Sequence, residues 1–258
     1  MKNQLTELLT HYGEVSAIWF DGHWDQLDND HDKNLQSKID WKYDEIYSLI
    51  HKLQPQCLIG NNHHLLPLPG EDFQMFEKDL PGENTTGFGG QSIGALPLET
   101  CETINGAWGY NIKDNNYKST QELVHYLVKA AGFGANFLLN VGPMPNGEIQ
   151  PEFVERLSQM GDFMKVYGET IYGTKGGFVR PQTWGAVTEK DNKIFIHLLK
   201  YNDAKFMLKI PVGIKSAKYF VDGKAIKFQK LDNNYYVFDL DPAQKNQLDT
   251  VLLLEKQP

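Results

Sequence analysis

The sequence predicts an α/β domain followed by a small antiparallel β domain. Short apolar runs such as Ala17–Phe20 and Asn136–Val141 alternate with helical patterns, and each run ends in a polar loop. From about residue 178 the pattern changes to short β runs separated by turn signals, which marks a second domain. We place the boundary in the glycine-containing stretch 173–177, so the predicted domains are 1–177 and 178–258.

Composition narrows the class of protein. The chain has 258 residues and a formal net charge of −8, with both signs interspersed, which argues against a nucleic-acid partner. It has no apolar run of about 18 residues and no export signal at its start, so we predict no membrane partner and leave the compartment open. Cys57 and Cys101 lack metal or redox spacing and are predicted to be buried apolar side chains.

The first half of the α/β part contains four predicted elements. They are a helix over Leu5–His11, a buried strand over Ala17–Phe20, a helix over about Leu35–Leu53, and a strand over Cys57–Ile59. The long section from that strand to Ser119 is predicted to be irregular. Pro55 ends the second helix, and Asp21-Gly22 follows the first strand directly.

Three further elements complete the α/β part. A capping box at Ser119–Glu122 begins a helix that runs to about Ala131, Asn136–Val141 is a buried strand, and a helix follows from Pro151 to Gly168. A closed eight-stranded barrel takes about 250 residues, whereas about 175 precede the β domain. The sheet is therefore either open, or a barrel that lacks its beginning.

The β domain is predicted to be a β-sandwich. Turn signals at Asp191-Asn192 and Asp222-Gly223 separate alternating runs. These runs are Ile194–Leu199, Phe206–Ile210, Tyr219–Val221, Ala225–Phe228, Tyr235–Leu240 and Thr250–Leu254.

Asp21 is the first candidate catalytic residue. It follows a strand end, where the loops of a parallel α/β sheet converge on one face, although a turn or cap aspartate is an equal alternative. A glycosidase needs a second carboxyl group, and the residues alone do not choose one. The candidates downstream are Glu71, Asp72, Glu77, Asp79, Glu83, Glu99 and Glu102. Aromatic residues beside Gly, Asn and Asp also suit a sugar site.

Two segments carry a resemblance to the retaining α-L-fucosidases of glycoside hydrolase family 29. YGEVSAIWFDGHWDQ, at Tyr12–Gln26, resembles the family's nucleophile strand, which implies that Asp21 is the nucleophile. GEDFQMFEKDLPG, at Gly70–Gly82, resembles the acid/base loop. The resemblance implies that Glu77 is the acid/base, with Glu71 as the fallback.

Further segments extend the resemblance over nearly all of residues 10–177. LPLETCETINGAWGYN, at Leu96–Asn111, resembles the segment whose aromatic residue lies near the fucose methyl group, which implies that role for Trp108. Asn136–Ile149 and Gly161–Gly177 resemble the end of the family's catalytic domain. The implied fold is a partial (β/α)8-type barrel followed by the sandwich, and the implied substrate-binding residues are Trp19, Trp24, His63 and Trp108.

The implied activity is hydrolysis of terminal α-L-fucosyl linkages in oligosaccharides or glycoconjugates, through a fucosyl-enzyme intermediate, without metal or organic cofactor. Family members are usually exported and carry a long segment before the nucleophile strand, whereas about 20 residues precede Asp21 here. We therefore expect an N-terminally truncated fucosidase whose missing strands would come from another chain. The alternatives are a non-catalytic carbohydrate-binding fragment and another retaining barrel glycosidase.

Overall fold

The computed structural model describes residues 1–21, 40–86 and 91–257. The chain divides into two compact units, Met1–Cys101 and Glu102–Pro258. Parallel strands alternate with helices in the first unit, and antiparallel sheets dominate the second. This arrangement confirms the predicted fold class, while the domain boundary at 177/178 stays a prediction.

The first unit is built from helices packed on short parallel strands. Its elements are α1 (Lys2–His11), β1 (Ala17–Phe20), α2 (Tyr43–Leu53), β2 (Leu58–Asn61), β3 (Gln74–Glu77) and the start of β4 (Leu98–Thr103). The apolar faces of both helices pack against β2, because Leu5, Leu9, Ile46, Ile50 and Ile59 share one buried cluster. Burial of these faces, at about 25 cal/mol per Å² of apolar surface, is the main term that holds the helices on the strands.

The strand register brings the carboxyl ends of β1, β2 and β3 together within this unit. β1 pairs in parallel with β2, with Phe20 opposite Asn61, and β3 pairs in parallel with β4, with Glu77 opposite Cys101. A parallel bridge between Gly60 and Phe73 links the two pairs. Polar residues that follow these strands therefore emerge at the same edge.

The prediction of an irregular section after β2 is wrong, because this section contains β3 and β4. Hydrophobic periodicity missed them since much of their buried surface is polar: Gln74, Thr100 and Thr103 are each at most 2% exposed. Their side chains are hydrogen-bonded, as when Thr100 donates to the backbone oxygen of Asp79 at 2.8 Å. The correction places Glu77 at the end of a parallel strand.

The second unit begins with helical elements that match the predictions. Its capping box is present: the Ser119 hydroxyl accepts from the Glu122 backbone, and Glu122 accepts from the Ser119 backbone. The helix α3 runs over Thr120–Phe133, β5 over Ala135–Asn140 and α4 over Pro151–Tyr167. Gly134 ends α3 in the left-handed conformation.

Two antiparallel sheets form the sandwich in this unit. One has the order β10-β13-β8-β7-β6 and the other β11-β12-β9. Their bounds are β6 (Lys175–Gly176), β7 (Gly185–Lys190), β8 (Lys193–Leu198), β9 (Lys205–Lys209), β10 (Ile214–Tyr219), β11 (Phe228–Lys230), β12 (Tyr235–Asp239) and β13 (Thr250–Lys256). Ile194 and Ile196 face the core between the sheets, whereas Phe195 packs with residues of α3 and α4. The larger sheet is thus covered on both faces.

Two details of the β domain differ from the prediction. The sequence indicated neither β7, which is buried along most of its length, nor residues 214–218 of β10. The predicted runs Tyr219–Val221 and Ala225–Phe228 lie mostly in a turn, because β10 ends at Tyr219 and β11 begins at Phe228. No helix among the described residues is long and apolar enough to span a membrane.

Candidate functional site

The register of β1 and β2 sets Asp21 beside Asn62. Each residue directly follows one member of the paired Phe20 and Asn61. The Asn62 backbone nitrogen donates to the Phe20 backbone oxygen at 2.9 Å, which extends the ladder by one step. Asp21 itself is exposed, as expected for a group that must meet a ligand.

A single amide group joins the two predicted catalytic carboxyl groups. The Asn62 Nδ2 donates to Asp21 Oδ1 at 3.2 Å and to Glu77 Oε2 at 2.8 Å. Glu77 is the last residue of β3, and its side chain is 11% exposed. The structure therefore brings Asp21 and Glu77 together at the carboxyl ends of β1 and β3.

His64 lies against the same pair. Its Nε2 is 3.6 Å from Glu77 Oε2. Burial lowers the pKa of His64 below its ordinary value, although the charges of Glu77 and Asp21 act in the opposite direction. The imidazole is accordingly neutral at neutral pH, and it adds a polar group to the site without adding a positive charge.

Glu71 and His63 instead belong to a buried network behind the site. The Glu71 Oε1 lies 2.8 Å from His63 Nε2 and accepts from the Tyr47 hydroxyl at 3.0 Å. His63 Nδ1 accepts from the Leu65 backbone at 3.0 Å, so Nε2 carries the proton that His63 donates to Glu71. Both side chains are 1% exposed, which favours Glu77 over the fallback Glu71.

Glu99 is a carboxyl group with a raised pKa that lies elsewhere on β4. Burial raises its pKa. It is the second residue of β4 and is opposite Met75, two positions before Glu77 at the end of β3. Its location away from the strand end argues against a role with Asp21, so geometry outweighs the pKa here.

The predicted aromatic ligands have different locations. Trp19 is in β1, opposite Gly60, and is 39% exposed. Trp24 lies outside the described residues. Trp108 belongs to the second unit, where it is 36% exposed and its backbone oxygen accepts from Asn140 Nδ2 at 2.7 Å.

Asp79 fixes the loop that follows Glu77. Its Oδ1 accepts from the Thr85 backbone at 2.9 Å, and its Oδ2 accepts from the Thr86 hydroxyl at 2.6 Å. Between Glu77 and Asp79, Lys78 has a φ of 55°, in the left-handed region that a lysine seldom adopts. His64 has a φ of 58°, so uncommon backbone occurs on both loops beside Glu77.

The contacts of Asn62 with Asp21 and Glu77, and of His64 with Glu77, could not be predicted from the sequence. The four-residue run Asn61-Asn62-His63-His64 after a strand was the available signal. This run does not show which of the four side chains faces the carboxyl groups, because the direction of each side chain depends on the backbone geometry after β2. Among the described residues, no group of three or more His, Cys, Asp or Glu side chains could hold a metal ion.

Comparison with known proteins identifies a family that this chain matches. The family model described as "Alpha-L-fucosidase" matches residues 1–169. Human plasma alpha-L-fucosidase is 31% identical over 162 residues, which cover 58% of this chain. The match spans 35% of the human protein's length, so the matched part of this chain corresponds to about a third of that relative.

Solved structures resemble the whole chain. An alpha-L-fucosidase isoenzyme from Paenibacillus thiaminolyticus is 30% identical, with a TM-score of 0.79, and the match covers 100% of this chain and 62% of the other. A trapped covalent intermediate of an alpha-L-fucosidase from Bacteroides thetaiotaomicron, in complex with 2-fluoro-fucosyl fluoride, is 22% identical with a TM-score of 0.76. This match covers 99% of this chain and 60% of the other, and it supports the fold.

Proposed function

Because the chain belongs to the alpha-L-fucosidase family, we propose that it contributes the catalytic carboxyl pair of a retaining exo-fucosidase. The substrate class is a terminal α-L-fucosyl group on an oligosaccharide or glycoconjugate. The observation that carries the proposal is the contact of one amide, that of Asn62, with both Asp21 and Glu77.

The two carboxyl groups divide the chemistry. Asp21 attacks the anomeric carbon while Glu77 gives its proton to the departing glycosidic oxygen, which forms a fucosyl ester on Asp21. Glu77 then takes a proton from water, and that water breaks the ester and regenerates both groups. Two inversions at the anomeric carbon give net retention.

The geometry of the amide supports a retaining rather than an inverting spacing. The two N–H bonds of a planar amide diverge by about 120°, which would hold the two accepting oxygens about 5 Å apart at the observed donor distances. Retaining enzymes have carboxyl groups about 5–5.5 Å apart, whereas inverting enzymes need about 6.5–9.5 Å to admit a water molecule.

The environment of each carboxyl group suits its role. Asp21 is exposed, where it can reach a sugar. Glu77 is mostly buried and shares the Asn62 amide with Asp21. Its histidine neighbour, His64, is neutral near neutral pH because burial lowers the pKa of the imidazole.

The substrate-binding set remains a proposal of its own. Trp19 has a partly exposed ring two residues before Asp21, and an aromatic face can stack on the apolar face of a sugar. Trp24, Trp108 and His63 keep their predicted roles on the family resemblance. The burial of His63 indicates that it would act through Glu71 and the backbone rather than by touching the sugar.

A second polypeptide could complete the sheet around this site. Within the described ranges, β1 has β2 as its strand partner, which leaves the other edge of β1 available for pairing. A strand added there would lie next to Asp21. Such an addition by another chain is part of the proposal, because open strand edges readily accept a further strand.

The direct test is release of nitrophenol from 4-nitrophenyl α-L-fucoside by the purified chain. We expect Asp21→Asn to reduce kcat by about 10³-fold or more, because it removes the nucleophile. Asp72→Asn is a matched control, since Asp72 binds the Ile59 backbone behind the site. Equal rates for the wild type and Asp21→Asn would overturn the proposal, and faster hydrolysis of galactosides would point to another retaining glycosidase.

A further inference from the structure

We propose that Asn62 is a positioning residue that holds Asp21 and Glu77 as a working pair. The inference rests on the proposed function, because it assigns how that site is organised. It is carried by the two hydrogen bonds from one nitrogen, at 3.2 Å and 2.8 Å, to carboxylates on two different strands.

The orientation of the amide follows from its neighbours. Asp21 and Glu77 each accept from the Asn62 Nδ2, so the NH2 end of the amide faces the pair; a flipped amide would set its oxygen against the negative charge of Asp21. Both donors of Asn62 are therefore committed to the pair. Its Oδ1 is buried and has no hydrogen-bond partner among the described residues, so the side chain's bonds are concentrated on the carboxyl groups.

The backbone keeps this amide in place. Asn62 is 1% exposed, and its own nitrogen bonds the last residue of β1 while it follows the last residue of β2. The position of the Asn62 side chain therefore depends on the pairing of β1 with β2, and this side chain binds Glu77 at the end of β3. A side chain fixed in this way can limit the rotamers of both carboxyl groups without touching the substrate.

A neutral donor is chemically suited to this task. An Arg or Lys in the same place would attract both carboxyl groups but would favour ionised Glu77, which would then lack the proton that the leaving oxygen needs. A neutral amide restrains the groups with less bias toward the charged form. Among the described residues, the amide contacts the titratable groups Asp21 and Glu77, and His64 lies beside Glu77, where the charges of His63 and Asp79 also act on it.

The chain provides a matched control in the neighbouring residue. Asn61 is the same residue type and is similarly buried, at 2% exposure, but its Nδ2 donates to the Tyr47 hydroxyl at 2.8 Å. Asn61→Ala and Asn62→Ala thus remove equal volumes and one buried amide each. The substitutions differ in whether the carboxyl pair loses its link.

A comparison of kcat between the two variants distinguishes a loss of positioning from a general loss of stability. We expect Asn62→Ala to lower kcat by about 100-fold with little change in KM, since a misplacement near 1 Å can cost that much. Asn61→Ala should lower kcat by less than about fivefold at a comparable fall in Tm. Equal losses of kcat for the two variants would overturn the proposal, as would an effect of Asn62→Ala on KM alone.

The pH dependence of kcat/KM is a further test, because a loss of packing alone would not shift it. Asn62→Asp adds a negative charge between the pair, so the acid holds its proton to higher pH and the alkaline limb of kcat/KM should move up by about one unit. An unchanged limb in an active, folded Asn62→Asp variant would contradict the assignment.

A measurement without turnover distinguishes this proposal from the proposed function. If the wild-type chain shows no fucosidase activity, crystal structures of the wild type and Asn62→Ala still decide the positioning role. We expect the carboxyl groups of Asp21 and Glu77 to separate by about 1 Å or more, or to occupy several rotamers, in the variant. Unchanged carboxyl positions in Asn62→Ala would overturn the inference whatever the activity.

Discussion

At the scale of single residues, carboxyl groups that lie close together in the first unit have different partners. Asp21 and Glu77 share the amide of Asn62, and Glu71 binds His63 and Tyr47. A carboxylate's surroundings therefore say more about its role than its place in an acidic stretch of sequence.

Asp79 gives a prediction about stability and pH. Burial raises its pKa, but hydrogen bonds from Thr85 and Thr86 outweigh burial and hold the pKa below its ordinary value. Stabilisation from a carboxyl group with a lowered folded pKa is fully present above the unfolded pKa, near 3.9, and is lost as pH falls through the folded pKa. We expect Asp79→Asn to lower the free energy of unfolding by about 2 kcal/mol at pH 7.

Urea unfolding of the wild type and Asp79→Asn at several pH values checks this. The difference between the two proteins should shrink as the pH falls below the unfolded value. Asp203→Asn, at an exposed position, is the control and should change little. A difference that stays constant down to the acid limit would contradict the role given to Asp79.

The sequence could identify Asp21 by its place after a strand, but it could not pair Asp21 with Asn62. That pairing depends on the register that sets Phe20 opposite Asn61, and a shift of one residue would turn the side chains to the other face. The role predicted for Glu77 came from a family resemblance, and the structure supplies its distance to the shared amide.

At the scale of elements, amphipathic helices were predictable and polar strands were not. The capping box and apolar face of α3 lie in adjacent residues, so both are readable from a short window. By contrast, β3 and β4 are stabilised by pairing across about 20 residues and by buried threonines, which look like loop residues in a hydrophobicity pattern. Their existence depends on contacts that are distant in sequence.

Gly60 gives a prediction about strand packing. A Cβ added there would lie 2.3 Å from Phe73 Cζ, so Gly60→Ala should lower the free energy of unfolding by about 1–3 kcal/mol. Trimming the ring with Phe73→Leu should restore part of the loss. Gly161→Ala is the control: nothing lies within 4 Å, and alanine should stabilise α4 by about 0.5–1 kcal/mol. Chemical denaturation measures all three, and an unaffected Gly60→Ala would show that β2 and β3 are not tightly packed.

The pair formed by His197 and Asp249 gives a prediction about the sandwich. His197 Nδ1 lies 2.6 Å from Asp249 Oδ2 across β8 and the residue before β13, and both side chains are fully buried. Asp249→Ala should lower the free energy of unfolding by about 3–5 kcal/mol, because it leaves a buried polar partner unpaired. The double variant His197→Leu with Asp249→Ala should be less destabilised than the sum of the single variants. Strict additivity in denaturant unfolding would mean that the two side chains do not interact.

At the scale of the whole molecule, the fold matches fucosidase structures along the full chain while the chain spans 62% of the Paenibacillus protein's length. The site and the sandwich are therefore present in the same polypeptide, and the site's carboxyl pair lies entirely within Met1–Cys101. We propose that Asp21 forms a covalent bond to the sugar and that Glu77 serves as acid and base.

Mass spectrometry after treatment with 2-fluoro-fucosyl fluoride is the direct test of a covalent bond to Asp21. Glu77→Gln should slow hydrolysis of the ester and so accumulate one label per chain, located on the peptide that contains Asp21, while Asp21→Asn should take up none. A label on another carboxylate, equal labelling of Asp21→Asn, or no label on a folded Glu77→Gln chain would contradict the account.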